Sequence, residues 1–271
     1  MNPTLEQTTK EFLKKHNIRP SKKLGQNFLI DKTILDKIIL ASQLTKDDIV
    51  LEIGPGIGTL TQELARTADR TVAVEKDKQL VKLLKTNLTE FKNLEIIESD
   101  IIKFSPPFKH NYKIIANLPY NIALLIIRKF IEEKNPPKEM ILMLQKEVAQ
   151  KICSEKSSLP KIAIELYAKS KILFFVPKES FFPIPKVDGA VIKIFDIQKN
   201  VPKIDKDLFF KILKTGFAHP RKTILNNLSK KLEMRKEKVN SWLKNSKINP
   251  QKRPEDLKLK EWINLTNGFD S

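Results

Sequence analysis

Short apolar runs recur from residue 49 to residue 195, and stretches of helical period separate most of them. The runs are Ile49–Ile53, Thr71–Glu75, Leu94–Glu98, Lys113–Ala116, Met140–Leu144, Ile172–Val176 and Ala190–Phe195. Each has the length of a strand, and several are apolar at consecutive positions, as strands buried on both faces are. Between them, apolar residues return at helical spacing near 59–67, 77–89, 121–133, 146–153 and 160–168. Strands alternating with helices predict an α/β domain built on a parallel, doubly wound sheet. Ahead of it the pattern predicts a short basic helix over 5–16 and a polar stretch from Asn17 to Gln26. A second helix follows, with Asp31 as its N-cap and Ile34, Leu35, Ile38 and Ile39 on one face.

The strand signal stops after Asn200. Helical patterns continue near 205–216, 221–232, 235–245 and 255–265, interrupted by Pro220, Pro250 and Pro254. A boundary at about 198–204 therefore divides the chain into residues 1–200, with 1–30 as a basic N-terminal extension, and a small all-helical domain at 201–271. The segment from Pro177 to Pro185, rich in proline and phenylalanine, reads as a structured loop. There are no internal repeats and no low-complexity tract.

Charge gives the second domain a role. The chain of 271 residues carries a formal net charge of +18, and residues 199–271 hold 18 Lys/Arg against 8 Asp/Glu. That surplus is larger than solubility requires and points to a polyanion, most simply nucleic acid. The single cysteine, Cys153, excludes an internal disulfide and a multi-cysteine zinc site. His16, His110 and His219 have no metal-ligand spacing, so no metal is expected. No window approaches a membrane span, and the chain reads as soluble and cytoplasmic.

Of only seven glycines, three fall within Glu52-Ile53-Gly54-Pro55-Gly56-Ile57-Gly58. The loop follows the first strand and opens a helix, where a doubly wound sheet binds its nucleotide. A dinucleotide site needs Gly-x-Gly-x-x-Gly, whereas here the spacing is Gly-x-Gly-x-Gly and Thr59 takes the third position. Glu52 would repel a pyrophosphate but suits a ligand bearing cations and no phosphate. S-adenosylmethionine, with an ammonium and a sulfonium, is such a ligand. A nicotinamide-dependent oxidoreductase on the same sheet fits less well.

Two further carboxylates follow successive strands. Glu75 is placed to bind ribose hydroxyls and Asp100 to accept from an adenine amine. After the fourth strand comes Asn117-Leu118-Pro119-Tyr120. Its amide oxygen and nearby carbonyls can accept from an exocyclic amine, and its ring can stack on a flat heterocycle. These residues suit an enzyme that holds a nucleobase amine before an electrophile. Tyr120 would stack on a flipped base, with Phe28 or Phe182 against its other face.

Over nearly its whole length the chain resembles the ribosomal RNA adenine N6,N6-dimethyltransferases. The motifs are Lys23-Leu24-Gly25-Gln26-Asn27-Phe28-Leu29, Glu52 to Gly58, Glu75, Asp100 and Asn117 to Tyr120. They continue as Met143 to Ala149, Phe182-Pro183-Ile184-Pro185-Lys186-Val187-Asp188 and Arg221-Lys222-Thr223-Ile224. The resemblance implies a Rossmann-like class I methyltransferase sheet that binds S-adenosylmethionine and a helical C-terminal domain that helps hold RNA. By motif position the cofactor residues would be Asn27, Leu29, Gly54, Gly56, Glu75, Asp100 and Asn117, with Asn117 to Tyr120 catalytic and Arg221 and Lys222 on RNA. The implied reaction is dimethylation of two neighbouring adenosines in a hairpin loop near the 3′ end of 16S rRNA, by a monomer acting on the small subunit or its precursor. Gly189 departs from a usual serine, and Pro220 stands where a second arginine often precedes Arg-Lys-Thr. Sister enzymes methylate 23S rRNA but usually carry isoleucine where this chain has Leu118. A mainly non-catalytic role in ribosome assembly is a further alternative.

Overall fold

The computed structural model describes residues 4–21, 24–108, 111–119 and 122–269. Seven strands form its main sheet: β1 (Ile49–Ile53), β2 (Arg70–Glu75), β3 (Leu94–Glu98), β4 (Tyr112–Asn117), β5 (Glu139–Gln145), β6 (Lys169–Val176) and β7 (Gly189–Phe195). Their spatial order is β3-β2-β1-β4-β5-β7-β6, with helices on both faces. The first five are parallel, in a register that sets Leu51 beside Val72 and Ile114. Parallel strands end on one edge, so the glycine loop, Glu75, the segment after β3 and Asn117 all emerge there.

The predicted parallel sheet is corrected at its far side. β7 runs antiparallel to β5, with Leu142 opposite Ile192. A parallel neighbour needs a helical crossover, and residues 177–188 between β6 and β7 contain only one short turn of 3₁₀-helix, Lys178–Ser180. The rest of that loop is also ordered by pairing. Phe181–Phe182 forms a two-stranded antiparallel ribbon with Phe28–Leu29, with Phe28 opposite Phe182.

Val50, Leu51, Val72, Ala73, Ile114 and Ile115 are fully buried, as their unbroken apolar runs predict. Lys113, the second residue of β4, is buried. Its ammonium donates to the carbonyls of Ser42 and Gln43 (3.2 and 3.1 Å) and lies 3.2 Å from Asp48 and 3.5 Å from Glu139. It thereby satisfies the end of helix α2 (Lys32–Ser42), where Gln43 turns to φ +46°, and its charge is matched by two carboxylates. Helix α1 (Leu5–Lys15) starts with a reciprocal capping box between Thr4 and Gln7, and Asp31 caps α2 through the Thr33 and Ile34 amides. The remaining helices of this region are α3 (Thr59–Thr67), α4 (Lys78–Asn87), α5 (Ala123–Glu132) and α6 (Lys146–Cys153).

The chain divides into two compact units, Met1–Ala149 with Ser170–Ile197, and Gln150–Lys169 with Gln198–Ser271. The second unit contains α7 (Leu159–Glu165), α8 (Lys206–Gly216), α9 (Ile224–Lys231), α10 (Lys236–Asn245) and α11 (Leu259–Asn267). Residues 150–169 join it through hydrogen bonds such as Ser157 N–H to Glu255 O and Gln198 N–H to Tyr167 O. Its core is built on Phe209, Leu213, Leu243, Leu265 and Trp262. Trp242 Nε1 donates to the Leu265 carbonyl (2.9 Å), and Phe217 stacks on Trp262. Among the described residues no helix is long and apolar enough to cross a membrane.

A side chain on Gly216 would overlap the Trp262 ring. Gly216→Ala should therefore destabilise the second unit by about 1–3 kcal/mol through overpacking. Both tryptophans of the chain, Trp242 and Trp262, lie in this unit. A urea titration followed by tryptophan fluorescence reads the effect directly, and an unchanged midpoint would contradict it.

Candidate active site

The chain leaves β1 through Gly54, Gly56 and Gly58, with φ of +67°, +61° and +90°. L side chains are strained in that region, so the clustered glycines follow from the path of the backbone. Two of them also answer a packing demand. A Cβ on Gly58 would come 2.8 Å from Leu84, and one on Gly56 would come 3.1 Å from the Phe28 ring. A Cβ on Gly54 would meet nothing within 4 Å.

Gly54 lines a cavity of about 330 Å³ at the carboxyl edge of the sheet, within the size range of small-ligand sites. Glu52, Glu75 and Asp100 all contribute to its wall, as do Asn27, Leu29, Gly56, Asn117, Leu118 and Pro119. The fold thus gathers one acidic cluster from the ends of three strands.

Each acid is held differently. Glu52 is 2 % exposed, and its Oε2 is buried without a hydrogen-bond partner among the described residues. Burial pushes its carboxyl up to about 8, against the pull of the Thr61 hydroxyl, and the Glu75 carboxylate adds to the rise. Glu75 Oε1 accepts from the Lys76 and Asp77 amides (2.8 and 2.9 Å), and Oε2 accepts from the Gly56 amide (3.2 Å). Burial still raises its pKa, opposed by those three donors. A carboxylate offers about four acceptor positions, so Oε2 retains room for one further donor. Asp100 is the most accessible of the three. Lys76 Nζ at 2.7 Å holds its carboxyl below the usual range, helped by the Ile102 amide.

Asn117 ends β4 on the same cavity. Its Nδ2 donates to the backbone carbonyl of Asn27 (3.1 Å), so the amide is held, and among the described residues no donor reaches its oxygen. Leu118 is 1 % exposed and anchored by its amide on the Met143 carbonyl (2.9 Å). The Pro119 carbonyl already accepts from the Ile122 amide (3.3 Å). Asn27 is positioned in turn by its own side chain on the Gly25 carbonyl and by Gln26, which reaches Asp77 at the start of α4.

Of the predicted aromatic residues, Phe28 lines the cavity and Phe182 does not. Phe28 is 6 % exposed and packs with Leu13, Ile18 and Leu80, its ring against Gly56. Phe182 is half-buried against the same cluster, with the Lys10 ammonium 5.4 Å from its ring centroid, and it does not line the cavity. Tyr120 lies outside the described residues, as do Lys23 and His110. Arg221 and Lys222 are exposed in the turn before α9 of the second unit. The Val187-Asp188 motif links the proline-rich loop to α6, because Asp188 accepts from the Lys178 amide and pairs with Lys146 Nζ (3.2 Å).

Some cavity residues were not singled out from the sequence: Lys76 and Ile101, which directly follow Glu75 and Asp100; Ile57 and Met143, quoted there only within motifs, also line it. The one available signal was position, since the residue after a strand-end carboxylate turns along the same edge. Among the described residues no group of His, Cys, Asp and Glu side chains has the arrangement of a metal site.

The sequence model of the family described as ribosomal RNA adenine dimethylase matches residues 16–271. Ribosomal RNA small subunit methyltransferase A of Alkaliphilus oremlandii is 41 % identical over 276 residues, covering 96 % of both chains. The protein of that name in Listeria innocua is 39 % identical over 96 % of this chain and 94 % of its own. Among solved structures, a dimethyladenosine transferase from Plasmodium falciparum superposes with a TM-score of 0.74 at 28 % identity, over 88 % of this chain and 95 % of that one. The 23S rRNA methyltransferase ErmE, at 24 % identity, shares the fold with a TM-score of 0.69 over 90 % of this chain and 100 % of its own.

The Glu52 environment predicts a particular pH dependence. The folded chain keeps a proton on Glu52 up to about pH 8, whereas the unfolded chain loses it near the ordinary 4.5. The folded state binds more protons across that window, so this group makes stability fall as pH rises through it. Glu52→Gln should flatten that part of the curve. Denaturation midpoints of the ligand-free protein and the variant between pH 5 and 8.5 test this, and parallel curves would contradict it.

Proposed function

The chain belongs to the ribosomal RNA adenine dimethylase family, and from that premise we propose that it dimethylates N6 of two adjacent adenosines in a hairpin loop near the 3′ end of 16S rRNA. The methyl donor is S-adenosylmethionine, and the step belongs to cytoplasmic maturation of the small ribosomal subunit. One observation carries the reading: the Asn117 amide, locked on the Asn27 carbonyl, faces the same cavity as Glu52, Glu75 and Asp100.

The cavity residues fit the donor. Glu52 has a buried carboxyl oxygen without a partner, which suits an ammonium. The open space beside Gly54 admits a ligand against bare backbone. Glu75 Oε2 has capacity for a ribose hydroxyl, and Asp100 for an adenine amine in competition with Lys76. Asn27 and Leu29 close the N-terminal side. When bound, S-adenosylmethionine supplies an electrophilic methyl group on a sulfonium.

The chain's own work is positioning. Adenine N6 is a poor nucleophile because its lone pair is delocalised into the ring. In the first transfer Asn117 Oδ1 and the Leu118 carbonyl accept its two N–H bonds, and in the second one of them accepts the single N–H that remains. This localises the lone pair and aims it into the cavity, and the proton released at each transfer passes to solvent. Leu118 is the better second acceptor, because the Pro119 carbonyl already serves the turn to Ile122. Tyr120 stacks on the flipped base. A loop adenosine leaves its stack at small cost, which favours a hairpin loop as substrate. The second unit supplies cationic contacts to the RNA backbone, with Arg221 and Lys222 among them. A 23S substrate has support only from the shared fold of ErmE, and an assembly role without catalysis would leave the Asn117 geometry without a purpose.

Asn117→Ala should lower turnover by about 10²–10³-fold while leaving RNA affinity close to that of the parent. Single-turnover transfer of labelled methyl to unmethylated small subunits, with mapping of the modified adenines, measures both site and rate. Near-normal transfer by the variant would sink the role of Asn117, and label confined to DNA or 23S rRNA would sink the substrate assignment. Glu75→Ala should instead weaken the cofactor about 10- to 100-fold, as expected for losing a hydrogen bond to a charged group. Calorimetric titration reads that loss without any RNA present, and an unchanged dissociation constant would count against the ribose contact.

A further inference from the structure

Ala218, His219, Pro220, Arg221 and Lys222 are five consecutive exposed residues between α8 and α9. An exposed stretch with a proline at its centre has no apolar side chain holding it to the core. It is nevertheless tied down from beneath by one side chain. Asn227, on the first turns of α9, is 0 % exposed. Its Oδ1 accepts from the His219 amide (3.0 Å), and its Nδ2 donates to the carbonyls of His219 (3.0 Å), Lys222 (3.3 Å) and Thr223 (3.3 Å). The turn is closed further by the Lys222 amide on the His219 carbonyl (2.9 Å).

An amide buried this completely must have its donors and acceptors met, and here these partners are backbone groups of the turn or its exit. The turn itself has no need of a buried amide to hide an apolar surface. What the amide secures is the backbone geometry from which Arg221 and Lys222 project. The start of α9 does not compete for an anion. Its Ile224 and Leu225 amides are occupied by the Lys252 and Pro250 carbonyls, and the Asn226 amide by the Thr223 hydroxyl. The cationic side chains that the turn presents to a polyanion are Arg221 and Lys222.

We propose that Asn227 is a positioning residue that preorganises the 218–222 turn so that Arg221 and Lys222 engage the RNA backbone without an ordering penalty. The inference rests on the RNA-binding role given to those two residues above. Fixing a backbone before binding raises affinity by removing entropy that association would otherwise lose.

The test uses the full chain, unmethylated small ribosomal subunits as the RNA probe, and two variants. Arg221→Ala with Lys222→Ala should lower the slope of log affinity against log salt by up to about two units, one for each phosphate that is no longer neutralised. Asn227→Ala keeps both charges, so its slope should stay near that of the parent while affinity at fixed salt falls about five- to tenfold. Fluorescence from Trp242 and Trp262 checks that the second unit remains packed, and cofactor affinity should not change. If the double variant binds RNA normally, the RNA role of the turn fails. If the double variant weakens binding but Asn227→Ala, still packed, does not, the positioning role fails. Amide exchange in the unmodified protein gives a measure independent of either variant. The His219 and Lys222 amides should exchange slowly for an exposed turn, and exchange at the rate of unstructured chain would overturn the proposal.

Discussion

The carboxyl edge of the sheet depends on the way the chain leaves β1. Three glycines with φ between +61° and +90° bend the backbone tightly and leave bare main chain beside the cavity at Gly54. The bend has consequences on every side. Phe28 lies against Gly56 and so draws the N-terminal segment over the cavity, and Leu84 fills the space beside Gly58. The Gly56 amide meets Glu75, linking the loop to the end of the neighbouring strand. With Phe28 in place, the Asn27 carbonyl reaches Asn117, and the amide at the end of β4 acquires its orientation. The geometry at Asn117 is thus a late consequence of backbone conformation at the end of β1.

That chain of dependence explains what the sequence could and could not disclose. The five inner strands were visible as apolar runs because the layers around them bury them, while the edge strands β3 and β6 are only partly covered, and all bounds moved by no more than a few residues. The direction of β7 was not visible, since an apolar run looks the same in either orientation. Only the lack of a helix between 177 and 188 hinted at it. The ribbon of Phe28–Leu29 with Phe181–Phe182 has two residues on each side, too few for any periodicity. Phe28 read as one of two rings for a base, and its packing against Gly56 in the cavity wall had no local signature. Glu52 was legible as a carboxylate in the loop, but its protonation is a property of burial among packed layers and has no local signature. Asn227 was not legible at all, because nothing near it in sequence marks an interior amide.

Charge is organised in opposite senses in the two units. The second unit is dominated by cations, while the cavity of the first gathers three acids within one small volume in a chain of net charge +18. Concentrating acids is costly where water is excluded, and the cost appears as the elevated carboxyls of Glu52 and Glu75. A ligand with cationic groups reverses that cost by allowing Glu52 to ionise. A dinucleotide would worsen it. Under the proposed function the acids would discriminate between two cofactors that the same sheet could otherwise accept, and would do so through desolvation more than through shape.

An amide at position 117 is consistent with the same balance of charge. A carboxylate there would add a fourth acid beside Glu52 and Glu75 and would be driven toward its neutral form, in which one oxygen becomes a donor. Its usefulness as an acceptor for an amine would then vary with pH. Asparagine keeps one acceptor and one donor at every pH, and the Asn27 carbonyl takes the donor. The acceptor is left on the cavity, where the proposed function places the exocyclic amine. If the proposed methyl transfer holds, orientation is what it asks of this residue, and a neutral group anchored by its other end supplies it without perturbing the buried acids of the cavity.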